Sequence, residues 1–200
     1  MSKRVVRLLG VSILSGLLVA AAPIVASAAS QTASTTVNAT VGSVISMSTS
    51  TTVAISLTPT SGGVVSSASD TVSVSTNNAL GYNLTLADSD ATTNLVNGGN
   101  TIGAHTGTQA SPSALASNTW GYRVVNVGGF GASAYTAETN NGSSTSTWAG
   151  VPATGSANTL KSTSSTASGD TTTVWYGVKV NSTKANGTYT DTVTYTATTN

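Results

Sequence analysis

Reactive side chains are scarce in this 200-residue chain, and their spacing narrows what they can do. The segment Asp88-Ser89-Asp90-Ala91-Thr92-Thr93-Asn94 sets oxygen-bearing side chains at alternate positions, as a calcium loop begins, which makes Asp88, Asp90 and Asn94 candidate ligands. A calcium loop then needs a glycine at its sixth position and an acid at its twelfth, and those places hold Thr93 and Gly99. The expectation is therefore a polar hairpin turn capped by its own aspartates, with no resident metal and no cofactor.

His105 is the one histidine and there is no cysteine, so zinc lacks ligands. A serine nucleophile needs a base held by a third group, and no nucleophile-elbow sequence surrounds any serine. Hydrolysis by paired carboxylates needs two acids converging on one cleft, which the six spaced acids do not announce. The chain is expected not to be an enzyme. Lys179, with Asp70 or Asp191 as the acid, contains the ingredients of a lysine–asparagine isopeptide crosslink, against the expectation of a solvated lysine. Trp120, Tyr122, Tyr135 and Trp148 are the candidate ligand-binding residues, because aromatic faces pack on pyranose rings; scarce aromatics also serve as core anchors. Asn-x-Ser/Thr sequons at Asn38, Asn83, Asn141, Asn181 and Asn186 are no more than chance supplies in a chain about one-third Ser and Thr.

The elements that must position these groups read as strands. In Asp70-Thr71-Val72-Ser73-Val74-Ser75-Thr76 apolar and hydroxyl residues alternate with period two, putting Val72 and Val74 on one face. The same alternation runs through Gly81 to Leu86, Trp120 to Val124, Val174 to Val180 and Tyr189 to Ala197, and through Thr35 to Val41, Val44 to Ser48 and Thr52 to Leu57. Threonine is β-branched and suits the solvated face. Turn signals such as Ser61-Gly62-Gly63, Asn97-Gly98-Gly99-Asn100 and Asn186-Gly187 separate the runs. The fold expected is all-β, a two-sheet antiparallel β-sandwich, Ig-like or jelly-roll-like, of about seven to nine strands. One helical turn is expected from Pro112 to Ser117, and extended loops with one or two short strands from Gly128 to Gly169. Trp175 and Tyr176 point to opposite faces, so one of them leaves its own sheet's core or both faces are covered.

The first residues have the layout of a secretory signal: Lys3, Arg4 and Arg7, an apolar run from Leu8 to about Ala22, then Ala26-Ser27-Ala28. Residues 1–28 are read as a cleaved signal peptide and 29–200 as one domain, with no transmembrane segment after cleavage. The expected location is outside the cytoplasm, secreted and associated with the cell envelope. No cysteine follows the apolar run and no apolar tail closes the sequence, so retention there is expected to be non-covalent. Cleavage leaves four basic against six acidic side chains, which disfavours a nucleic-acid partner. A surface this poor in charge has little electrostatic protection against association, so a homo-oligomer is an expectation.

The closing segment Gly187-Thr188-Tyr189-Thr190-Asp191-Thr192-Val193-Thr194-Tyr195-Thr196, preceded by Val178-Lys179-Val180, resembles the final strands of the WxL-type domains of bacterial cell surfaces. Gly81-Tyr82-Asn83-Leu84-Thr85-Leu86 sits where such domains carry an earlier Trp-x-Leu, with tyrosine in place of the tryptophan. The resemblance implies a β-sandwich at the cell surface whose partners are a cell-envelope polymer or another surface protein. The function expected is structural or adhesive, with strand pairing through the stretch from Ser30 to Ser50; the alternative is a carbohydrate or cell-wall polymer binding module.

Overall fold

A computed structural model describes residues 28–200; the expected signal peptide lies outside them except for its last residue. Residues up to Thr40 and residues Val41–Asn200 form separate units. Residues 28–40 carry no strand and are exposed throughout. From Val41 onward the described chain is all-β, with no helix: β1 (Ile45–Ser48), β2 (Val64–Thr76), β3 (Tyr82–Asp88), β4 (Leu95–Asn97), β5 (Asn100–Ala104), β6 (Ser113–Ala114), β7 (Thr119–Arg123), β8 (Thr147–Trp148), β9 (Asn158–Ser162), β10 (Ala167–Val180) and β11 (Val193–Thr199).

Period-two patterning decides which faces are buried. Val72 and Val74 in β2, Tyr82, Leu84 and Leu86 in β3, and Val174, Tyr176, Val178 and Val180 in β10 are buried while the residues between them are not uniformly so. The longest ladder joins β2 to β10 from Val64↔Val180 to Val74↔Asp170, antiparallel. Its register slips between Ala167 and Asp170, where Gly169 takes φ 61°, a left-handed conformation glycine adopts without steric cost. The resulting six-stranded sheet has the order β1-β2-β10-β7-β5-β4. A three-stranded sheet, β11-β3-β9, contributes Tyr82, Leu84, Leu86 and Leu160 to the same apolar core as Val72, Val74, Val174 and Tyr176. A third, two-stranded ladder pairs β6 with β8.

The structure corrects several expectations. There are eleven strands among the described residues rather than seven to nine, and β5 runs parallel to β7, so the pairing is not wholly antiparallel. The extra strands β4, β6 and β8 are two or three residues long, too short to show a period in sequence. Where a helical turn was expected, Ser113 and Ala114 pair with Trp148 and Thr147, since an isolated turn fixes several dihedrals for one hydrogen bond and an available ladder partner wins. Thr35 to Val41 and Thr52 to Leu57 are not strands either. The second keeps its alternation, with Val53, Ile55 and Leu57 half-buried against the core, but has no ladder partner.

The outer face of the six-stranded sheet is covered as well. Trp175 points away from the Tyr176 face into a second cluster with Val65, Leu115, Trp148 and Tyr135. Gly177, also on that face, lies directly under Trp148: a Cβ there would meet the indole at 2.5 Å. The chain between β7 and β8, with Tyr135 and Trp148, thus packs onto this face, while β9, further along the stretch expected as loops, joins the three-stranded sheet.

Candidate functional site

Each candidate aromatic has a defined place. Trp120 is buried, donates its indole N–H to the Thr93 carbonyl at 2.9 Å and stacks on Tyr176 with centroids 6.4 Å apart. Tyr122 is fully buried; its hydroxyl donates to Gln109 Oε1 at 2.7 Å and accepts from Asn158 Nδ2 at 2.7 Å, and burial pushes its pKa up to about 12. Trp148 is fully buried and meets Tyr135 edge-to-face at 5.5 Å. Tyr135, half-buried, also packs edge-on against Trp175 at 4.9 Å, shares a 2.9 Å hydrogen bond with Ser67 Oγ and carries the Arg123 guanidinium 4.2 Å from its ring centre. Trp148, Tyr135 and Arg123 therefore form a clasp that pins the loop to the sheet. Trp120, Tyr122 and Trp148 present no exposed ring face on which a sugar would stack.

Glu138 tightens the same loop by accepting hydrogen bonds from Asn141, Ser144 and Ser146, while its backbone exchanges bonds with Ser67. These contacts pair residues 138–141 with the outer edge of β2 at Val65 and Ser67.

His105 is buried, and its Nε2 lies 2.9 Å from Ser113 Oγ. Sequence reasoning missed this contact; no motif announces it, because the ladder between β6 and β8 creates it. Burial lowers the imidazole pKa, and the Ser113 contact opposes that only in part, so the ring is neutral near pH 7. Among the described residues Nδ1 is buried and has no hydrogen-bond partner. His105 lines an open depression of about 620 Å³ with Gln109, Gly150 and Asn158. The contact as it stands holds one loop against another.

The candidate calcium ligands act as turn caps. Asp88 Oδ1 accepts the Asp90 N–H at 3.0 Å, and Asp90 Oδ1 accepts the Thr92 N–H at 2.5 Å. Asn94 does not join them, and among the described residues no three His, Cys, Asp or Glu side chains converge on a common point. The β11–β3 ladder instead brings Asp191 to Asp88, since Val193 pairs with Asp88 itself. Asp88 is 1% exposed; among the described residues its Oδ2 and that of Asp191 are buried with no hydrogen-bond partner. Burial and the negative charges of Asp88 and Asp90 raise the Asp191 pKa to about 6, against the Thr192 N–H it accepts. Asp70 behaves in the opposite way: burial raises its pKa, but the Thr49 hydroxyl and the Ser50 N–H outweigh burial and hold it below the usual value. Asp70 pairs with Val174 on the core face, whereas Lys179 lies on the Trp175 face, so the ladder does not bring these two isopeptide ingredients together.

No family model, curated protein or solved structure matches this chain.

What the described residues do leave open is backbone. Val37 and Val41 are 87% and 83% exposed, apolar side chains in an alternating stretch that has no ladder among the described residues. β1, β4, β9 and β11 are the edges of the two larger sheets. No helix among the described residues is long and apolar enough to cross a membrane.

Proposed function

We propose that the mature chain is a secreted, cell-envelope-associated, non-catalytic protein with a structural or adhesive role that assembles with copies of itself by strand pairing. In this reading the six- and three-stranded sheets are the two layers of a β-sandwich. The observation that carries it is the stretch from Thr35 to Val41: strand-like in sequence, uncharged and exposed in the structure. Isolated exposed apolar residues are ordinary on a protein surface, but a periodic run of them beside free backbone groups is a template for another chain. Export rests on the signal-like front end, and surface location is supported by the resemblance to WxL-type domains. Sparse charge works in the same direction, because Lys161 is already paired with Asp170 at 2.5 Å, and Arg123, Asp70 and Asp88 are buried.

Purified residues 29–200, measured by light scattering over a hundredfold range of concentration with no glycan present, are expected to show molar mass rising with concentration. A constant monomer mass, with retention on cell-wall polysaccharide instead, would replace this reading by the polymer-binding one.

A further inference from the structure

The hydrogen bonds at the margin of the three-stranded sheet reveal which edge is unfilled. Tyr82 O accepts from Thr163 N on the β9 side, and Gly81 O accepts from Asn200 N on the β11 side. Inter-strand bonds alternate in direction along a strand, so the even-numbered residues of β11 turn their backbone groups toward β3. The Ser89 N–H donating to Thr192 O continues the same parity. The N–H and C=O groups of Val193, Tyr195 and Ala197 therefore point outward, and none of them has a hydrogen-bond partner in the described chain.

The side chains agree with the backbone. Val193, Tyr195 and Ala197 face the core but are only half-buried, whereas Leu84 and Leu86 one strand inward are completely buried. Core-facing residues left half covered beside free backbone groups make this edge a template for another strand.

We infer that the β11 edge is the acceptor for the segment Thr35 to Val41 of a second copy. This rests on the self-assembly reading above and adds the two surfaces that meet. The donor has the seven-residue length of β11, and its Val37, Ala39 and Val41 would extend the apolar row of Val193, Tyr195 and Ala197, leaving Thr36, Asn38 and Thr40 toward solvent. No charged residue lies between Arg7 and Asp70 or within β11, so neither partner repels the other. The binding is main-chain hydrogen bonding plus apolar burial, and requires no covalent step.

The test uses the mature chain carrying V37D/V41D, which disables its own donor at exposed positions, and a fluorescein-labelled peptide of residues 33–43. The peptide is expected to bind saturably. A197P, which removes an outward-pointing N–H without cutting the β3 ladder, is expected to weaken that binding at least tenfold, and a peptide with both aspartates not to bind. Because A197P also changes the backbone, amide hydrogen exchange on the assembled wild-type chain gives a second measure: the amides of Val193, Tyr195 and Ala197 become protected on assembly by at least tenfold relative to the V37D/V41D chain. Multimers that form with those amides still in fast exchange, and with no peptide binding, would overturn the edge assignment while leaving self-assembly standing. A wild-type chain that stays monomeric and an acceptor that ignores the peptide would overturn both.

Discussion

Asp191→Asn raises the melting temperature at pH 7 by about 2–8 °C and removes most of the pH dependence of stability above pH 5. The reason is the buried meeting of Asp191 with Asp88, whose Oδ2 atoms have no donor. The Asp191 pKa rises from the ordinary 3.8 to about 6, because burial first, and then Asp88 and Asp90, oppose its charge. A group whose folded pKa is raised holds its proton more tightly in the folded state. Its contribution is fully present below about pH 4 and is lost as pH rises through about 6. A rise of that size corresponds to a ceiling of about 3 kcal/mol, and partial solvent exposure of Asp191 reduces this to about 1–2 kcal/mol. Asparagine keeps an acceptor for the Thr192 N–H and offers its amide N–H to Asp88 Oδ2. Asp70 and Asp170 have the opposite sign: their lowered pKa values contribute stability above about pH 4 that disappears in more acid solution. Thermal melts from pH 3 to 8 should therefore peak between about pH 4 and 6 for the native chain, and Asp191→Asn should flatten the limb above the peak. A variant that melts lower at pH 7 than the native chain would show that the carboxylate has a stabilising partner.

Trp148→Ala has the largest expected cost, about 3–5 kcal/mol, as for other fully buried aromatic side chains cut to alanine. Trp148 covers Gly177, meets Tyr135 and lies 5.9 Å from the Arg123 guanidinium, so its loss empties the middle of the clasp. Its own N–H is buried without a partner, which makes Trp148→Phe the milder change. In urea titration the midpoint should fall with the slope unchanged, because the surface exposed on unfolding is nearly the same. A local readout separates the clasp from general stability. Arg123, shielded by Tyr135, Phe130 and Trp148, should become a tryptic cleavage site in Trp148→Ala under native conditions. Resistance at Arg123 equal to that of the native chain would show that the loop is held without Trp148.

The long strands were legible because alternation over many residues has one physical meaning: Val72 and Val74, and Leu84 and Leu86, must share a face, and they are buried. The opposed directions of Trp175 and Tyr176 were legible for the same reason, but periodicity alone did not tell that Tyr135 and Trp148 cover the Trp175 face. The parallel pairing of β5 with β7 was not legible, since it depends on how the intervening chain returns and not on local pattern. Asp191 reaches Asp88, and Ser113 reaches His105, only through the registers of β11 on β3 and β6 on β8. Thr35 to Val41 is the instructive case. Its sequence carries a strand's alternation, yet a strand forms only by pairing with an edge, and among the described residues the segment pairs with none.

Deleting residues 30–41 removes the proposed donor strand from every copy. Light scattering of the shortened mature chain is expected to give a monomer at every concentration at which the full mature chain forms multimers, with the melting temperature of the monomer unchanged, because the deleted residues are exposed throughout. Multimers of undiminished mass from the shortened chain would show that strand pairing through this segment does not drive assembly.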